Sequence, residues 1–181
     1  MQVPRIPHWA RLAIERSVGH SYYPFVVGMI AFVSTATFTF PFVFLLIPAV
    51  LLAPRRWLVL GLSAGIASGV GGGVLVEMFQ YLGHELVLER FPQLFESEKW
   101  LQASAWVHQY GLWALAVIAG SPIPQTPAVL VYSLADPSSL GAMFAIGIGK
   151  TVKYVFLAWL TERYPARFVA YRRALEEQKT V

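Results

Sequence analysis

Two lysines, Lys150 and Lys153, stand in a stretch that is otherwise apolar from Leu140 to Leu160. They are three residues apart, close to one helical turn, so a helix there carries both on similar faces. An ionisable side chain at membrane depth is costly, and it marks a functional position unless something else accounts for it. Two ammonium groups facing one cavity can hold an anionic headgroup as point charges. Gln125 and Thr126, with Ser121 nearby, offer neutral hydrogen bonds to the same ligand. Glu77 and Asp136 are the other two ionisable residues at the edge of apolar runs. Glu77 sits near the end of its run and is a candidate interfacial carboxylate or ligand contact. Asp136 precedes Pro137, Ser138 and Ser139, which favours a helix N-cap over a ligand. A second arrangement stays open for the lysines: a Lys150–Glu77 pair between two spans, or ammonium groups that reach out to an interface.

Other chemistries find little support. Cysteine is absent, which excludes disulfides and thiolate ligands. His8, His20, His84 and His108 lack metal-ligand spacing. Gly-Val-Gly-Gly-Gly at 69–73 lacks the Lys-Ser/Thr that completes a phosphate loop. No Ser-His-Asp set is evident. No metal, no cofactor and no enzymatic activity are expected.

The elements that must position these residues are read from the charge gaps. Hydrophobic residues make up 56% and charged residues 13%, and mean hydropathy is +0.55. Soluble domains carry about 25% charged residues, so a membrane protein is expected. The net charge is +4, and the arginines flank apolar segments, which suits anionic lipid headgroups and not nucleic acid. Membrane lipids are the expected partners, with a protein partner or a second copy left open. No Asp, Glu, Lys or Arg occurs from Ser21 to Ala53, from Trp57 to Val76, or from Trp100 to Ala135. Spanning helices need about 20 apolar residues each. Within the first gap Tyr23 to Thr37 reads as helical, and Phe40 to Pro54 carries prolines at 41, 48 and 54. The second gap has glycines at 61, 65, 69 and 73. That spacing gives a helix face of small residues which another backbone can approach closely. Ser121 to Pro137 carries four prolines.

The order repeats. Pro48-Ala49-Val50-Leu51-Leu52 precedes one Gly-bearing run, and Pro127-Ala128-Val129-Leu130-Val131 precedes another. Broken segments in corresponding positions point to inverted repeats, because broken backbone at membrane depth must be buried in protein or line a wet cavity. The expected fold is an all-α polytopic membrane protein, an inverted repeat of two Pro-broken re-entrant hairpins. Each hairpin is followed by a Gly-rich transmembrane helix, with interfacial helices added. One membrane domain covers 1–181: an N-terminal interfacial segment at 1–21, a first repeat at 22–82, a polar connection with an interfacial helix at 83–110, a second repeat at 111–162 and a basic C-terminal tail at 163–181. A helix from His8 would place Trp9, Leu12 and Ala13 on one face. Trp100 to Gln109 reads as a short interfacial helix. The charges at the segment ends do not decide orientation: three full spans would put the termini on opposite sides, and a spanning hairpin would put them on one side.

At these residues the chain resembles the DedA family, also called the VTT or SNARE-associated Golgi-protein family, and within it the short YqaA-like bacterial members. The likeness runs from about Phe38 to Pro165. It rests on the first Pro-rich stretch, Tyr81-Leu82-Gly83, His108-Gln109-Tyr110-Gly111-Leu112-Trp113, Ser121-Pro122-Ile123-Pro124, and Phe144 to Tyr154. The resemblance implies facing re-entrant hairpins, movement or scrambling of lipids or lipid-linked phosphates between leaflets, and a place in the bacterial cytoplasmic membrane. The chain departs from the family pattern in two places. Proton-coupled members carry acidic residues in the first hairpin and arginines around the second; here the first stretch has no acid, and Ser121, Gln125 and Pro127 stand in the second. The alternative is a non-transporting accessory subunit or assembly factor that keeps the fold without the coupling charges.

Overall fold

The computed structural model describes residues 7–37, 40–90, 105, 107, 109–122, 125–135 and 138–165, and the side chains of these except residues 11, 82–90, 134 and 135. All regular structure among them is helical: α1 (His8–Ser17), α2 (Tyr23–Thr37), α3 (Val43–Leu52), a 3-10 turn (Pro54–Arg56), α4 (Trp57–Arg90), α5 (Leu112–Gly120), α6 (Thr126–Ala135) and α7 (Ser139–Arg163). Two helices are long and apolar enough to cross a membrane, Pro54–Tyr81 with 28 residues and Ser139–Arg163 with 25 residues.

The two long helices pack on each other through the spaced glycines. A methyl group added at Gly61, Gly65, Gly69 or Gly73 would meet Val155, Thr151, Gly147 or Met143 in turn. One register falls as the other rises, so α4 and α7 run antiparallel, their backbones brought together where side chains are missing. Helix α2 follows α4 in the same direction: Gly28 lies against Ser63, Ser68 donates to the Ala31 carbonyl, and Gly71 lies against Phe32 and Thr35. Helix α5 follows α7 likewise, with Leu112 against Gly141 and Ala116 against Gly149. The remaining short helices cross over, α3 packing on α7 and α6 on α4.

The order short helix, break, short helix, turn, long helix therefore occurs twice, and only some of the prolines mark the breaks. Pro48 lies inside α3, whereas Pro41 stands between α2 and α3 and Pro54 opens the turn between α3 and α4. Pro127 is the second residue of α6, where a missing N–H costs nothing because the first turn has no intrahelical acceptor. The two Pro-Ala-Val-Leu matches thus occupy different helical positions. Arg56 Nη1 donates to the His20 carbonyl at 2.6 Å and Tyr23 Oη to the Ala49 carbonyl at 2.9 Å. The start of α2, the end of α3 and the start of α4 consequently share one end of the bundle.

Helix α1 packs on α2 with Ala10, Ile14 and Ser17 buried and Trp9 exposed. The buried face is thus offset from the Trp9–Leu12–Ala13 face expected from the sequence; the small residues Ala10 and Ser17 fit closer than an indole. Ser138 caps α7, its Oγ accepting from the Gly141 N–H at 3.1 Å. Asp136, the cap expected from the sequence, lies outside the described residues. So do Trp100, Trp106, His108 and the tail beyond Pro165. Helix α4 runs on to Arg90, past the expected edge of the first repeat at residue 82. The start of α2 and the last turns of α7 lie at the same end, because the two long helices among the described residues run antiparallel.

Large apolar side chains cover the outside. On α7 Leu140, Phe144, Ile148, Val152 and Phe156 are exposed at every fourth residue, and on α4 Leu62, Ile66, Val70 and Val74 form a matching stripe. Buried polar groups include Ser34, Thr35, Ser68 and Lys150.

Candidate functional site

Close contacts on both sides of one helical turn assemble the site. Gly147 faces Gly69 of α4, and Gly149 faces the Ala116 carbonyl of α5. Lys150 follows directly, so the turn that carries it is gripped by two neighbouring backbones. Helix α2 reaches the same level because Gly71 has no Cβ: one placed there would stand 2.7 Å from the Phe32 carbonyl and 3.3 Å from Thr35 Cβ. The last turn of α2, the bend before α3, the end of α5 and the start of α6 thereby converge on the middle of α7.

They line an open cavity of about 420 Å³, bordered by Ser34, Thr35, Phe40 to Val43, Ala119, Pro122, Gln125, Thr126, Lys150, Lys153 and Tyr154. That volume lies within the range of small-molecule and headgroup pockets. Phe42 and Tyr154 pack ring to ring, centroids 5.4 Å apart, and close one wall.

Each lysine reaches a different short-helix pair. Lys150 is only 8% exposed, and its Nζ donates to Thr35 Oγ1 at 2.8 Å, at the end of α2. Lys153 Nζ donates to the Ser121 carbonyl at 2.6 Å, at the end of α5. Both acceptors are neutral, and no carboxylate is among the described lining residues. A buried ammonium group needs pairing to offset its lost hydration. Two of them beside hydroxyl and amide donors form a place for an anion, which would accept short charge-assisted hydrogen bonds.

Of the residues singled out from the sequence, Lys150, Lys153, Gln125 and Thr126 are brought together as lining. Ser121 joins through its backbone oxygen, while its Oγ turns back to the Ile118 carbonyl at 2.9 Å. Glu77 stands apart. It is exposed and accepts from Ser139 Oγ at 3.0 Å, beside the start of α7. The Lys150–Glu77 pair left open by the sequence is therefore absent: Lys150 lies eleven positions along α7 from the serine that Glu77 meets. Sequence reasoning missed Ser34, Thr35 and Tyr154. The hydroxyl run Ser34, Thr35, Thr37, Thr39 just before Phe40-Pro41 was the available signal, since such residues bond backbone freed by a break. Among the described residues, no group of three His, Asp or Glu gathers to hold a metal.

No family model, no curated protein and no solved structure matches the chain.

Proposed function

We propose that the chain is a membrane protein of the DedA kind, in which the two lysines hold an anionic lipid headgroup between two opposed hairpins during passage from one leaflet to the other. The observation that carries this reading is the cavity itself. Two ammonium groups, Lys150 and Lys153, lie midway along the apolar helix α7 with no carboxylate among the described residues around them.

The membrane setting is supported by the exposed apolar stripes on α4 and α7, which water would penalise over their whole length. The re-entrant character of the short-helix pairs is supported by their size. Helix α2 has 15 residues, α3 ten, α5 nine and α6 ten. At 1.5 Å per residue the longest reaches about 22 Å, short of the roughly 30 Å of hydrocarbon. The inverted repeat is supported by the packing: α2 lies on α4 and α3 on α7, while α5 lies on α7 and α6 on α4. Exchanging the two antiparallel long helices turns one set of contacts into the other. Bends buried in such a setting need polar neighbours, and the cavity provides them. The DedA resemblance carries with it the bacterial cytoplasmic membrane as the location.

The test is phospholipid exchange in liposomes holding the purified chain, followed with a headgroup-labelled phospholipid that an external reductant bleaches. The wild type is expected to expose inner-leaflet label, and Lys150→Met with Lys153→Met to abolish that exposure while the protein stays folded. The lack of a carboxylate among the described lining residues favours one second reading, an accessory subunit without coupled transport. A wild type that moves no lipid but copurifies with a partner in fixed ratio would establish that reading instead.

A further inference from the structure

One end of the bundle gathers basic side chains that lie far apart in the sequence. Arg16 closes α1, Arg55 and Arg56 precede α4, and Arg163 ends α7. The pairing of Gly61 with Val155 sets the start of α4 beside the last turns of α7. The hydrogen bond from Arg56 to the His20 carbonyl ties the segment after α1 to the same place. Arg16, Arg55 and Arg163 are exposed, and Glu15 and Glu162 are the acids among them. Exposed aromatic side chains stand at this level too, Tyr22 before α2 and Trp159 and Tyr164 at the end of α7.

The opposite end is different. Glu77 is the charged residue there whose side chain is described, and the continuation of α4 carries Glu85, Glu89 and Arg90. The apolar stripes run between the two ends. Arginine beside tryptophan and tyrosine, set where an apolar belt stops, matches an anionic headgroup layer: rings sit at the interface and guanidinium groups fork onto phosphate. Counted along the sequence, these arginines were divided between separate segments and decided nothing. The antiparallel pairing of α4 and α7 sums them on one side.

We propose that the α1 end of the bundle is a binding surface for anionic phospholipid headgroups, and that it seats this end in the anionic leaflet. The proposal rests on the membrane reading above but not on lipid movement through the cavity. It fixes orientation as well: the α1 end faces the cytoplasm, and the Glu77 end faces away.

The chain has no cysteine, so a fluorophore can be placed at one position at a time. Gly19 suits the basic end, since a side chain there meets nothing within 4 Å. Tyr81, 93% exposed, suits the other end. Gly19→Cys and Tyr81→Cys are labelled and reconstituted in phosphatidylcholine nanodiscs. These contain a minor fraction of quencher-bearing lipid, either phosphatidylglycerol or phosphatidylcholine. At low salt the label at Gly19 is expected to be quenched more by the phosphatidylglycerol quencher, with local enrichment of about fivefold for each arginine engaged. The label at Tyr81 is expected to show no such preference. Replacing Arg16, Arg55 and Arg163 by Gln, with Arg56 kept for its structural bond, is expected to erase the preference at Gly19, as is raised salt. Equal quenching by both lipids at Gly19, or a preference at Tyr81 instead, overturns the proposal and leaves the membrane reading standing. A chain that does not insert, with neither label reached by either lipid, overturns both.

Discussion

Gly69 and Gly147 face each other where α4 crosses α7, yet alanine is expected to act differently at the two positions. A Cβ on Gly69 would stand 2.6 Å from Gly147 Cα and 2.8 Å from the Met143 carbonyl, both backbone. A Cβ on Gly147 would meet Gly69 Cα at 3.4 Å and nothing closer. Carbon atoms rest about 3.5–4.0 Å apart, so Gly69→Ala forces the helices apart by about 1 Å and Gly147→Ala hardly moves them. Overpacking of that kind costs about 1–3 kcal/mol. Alanine also gains about 1 kcal/mol over glycine in helix propensity. This gain is common to both variants and cancels in their comparison. Gly69→Ala is therefore expected to be about 1–3 kcal/mol less stable than Gly147→Ala. Unfolding in mixed micelles of a mild and a denaturing detergent, followed by circular dichroism, measures the difference. Equal stabilities, or Gly147→Ala the weaker of the two, would refute the packing of α4 on α7 described above.

Three further substitutions test other parts of the structure. Tyr23→Phe removes the hydrogen bond to the Ala49 carbonyl and leaves a buried acceptor, at an expected cost of about 1–3 kcal/mol in the same unfolding assay. Glu77→Gln is expected to leave lipid exchange in liposomes unchanged and to shift stability by less than about 1 kcal/mol, because its contact with Ser139 is exposed. Gly149→Ala drives a methyl group into the Ala116 carbonyl of α5. It is expected to push α5 off α7, break the Lys153–Ser121 bond and abolish lipid exchange. Gly19→Ala, in open space, is the control that leaves exchange intact.

Much of this architecture was legible in the residue order, and what was not has physical reasons. Spacing by four at Gly61, Gly65, Gly69 and Gly73 announces a close-packed helix face, since a period near 3.6 keeps such residues on one side. Two lysines one turn apart in an apolar run announce a shared polar cavity. The position of the bends was harder to read. Proline disfavours a helix interior but does not forbid it, and α3 passes through Pro48. Pro41 and Pro54, which do stand at bends, look no different from Pro48 in the sequence. Glu77 misled because distance along a sequence does not say which end of an antiparallel partner it faces. Antiparallel pairing places it beside Ser139, a long way from Lys150. Thr35 escaped notice because its role depends on α2 running alongside α4, a long-range contact which Gly71 permits.

The central claim is a polar hollow at mid-depth, between the two short-helix pairs and against the middle of α7. Thiol accessibility in liposomes tests it most directly. Gln125 lines the cavity, and Ile148 lies on the outer apolar face of α7 a fraction of a turn from Lys150. Gln125→Cys is predicted to react with a small water-soluble, membrane-impermeant thiol reagent, more slowly when inorganic phosphate is present, and Ile148→Cys to stay unreactive. Reaction at Ile148 with Gln125 protected, or silence at both positions, would contradict it.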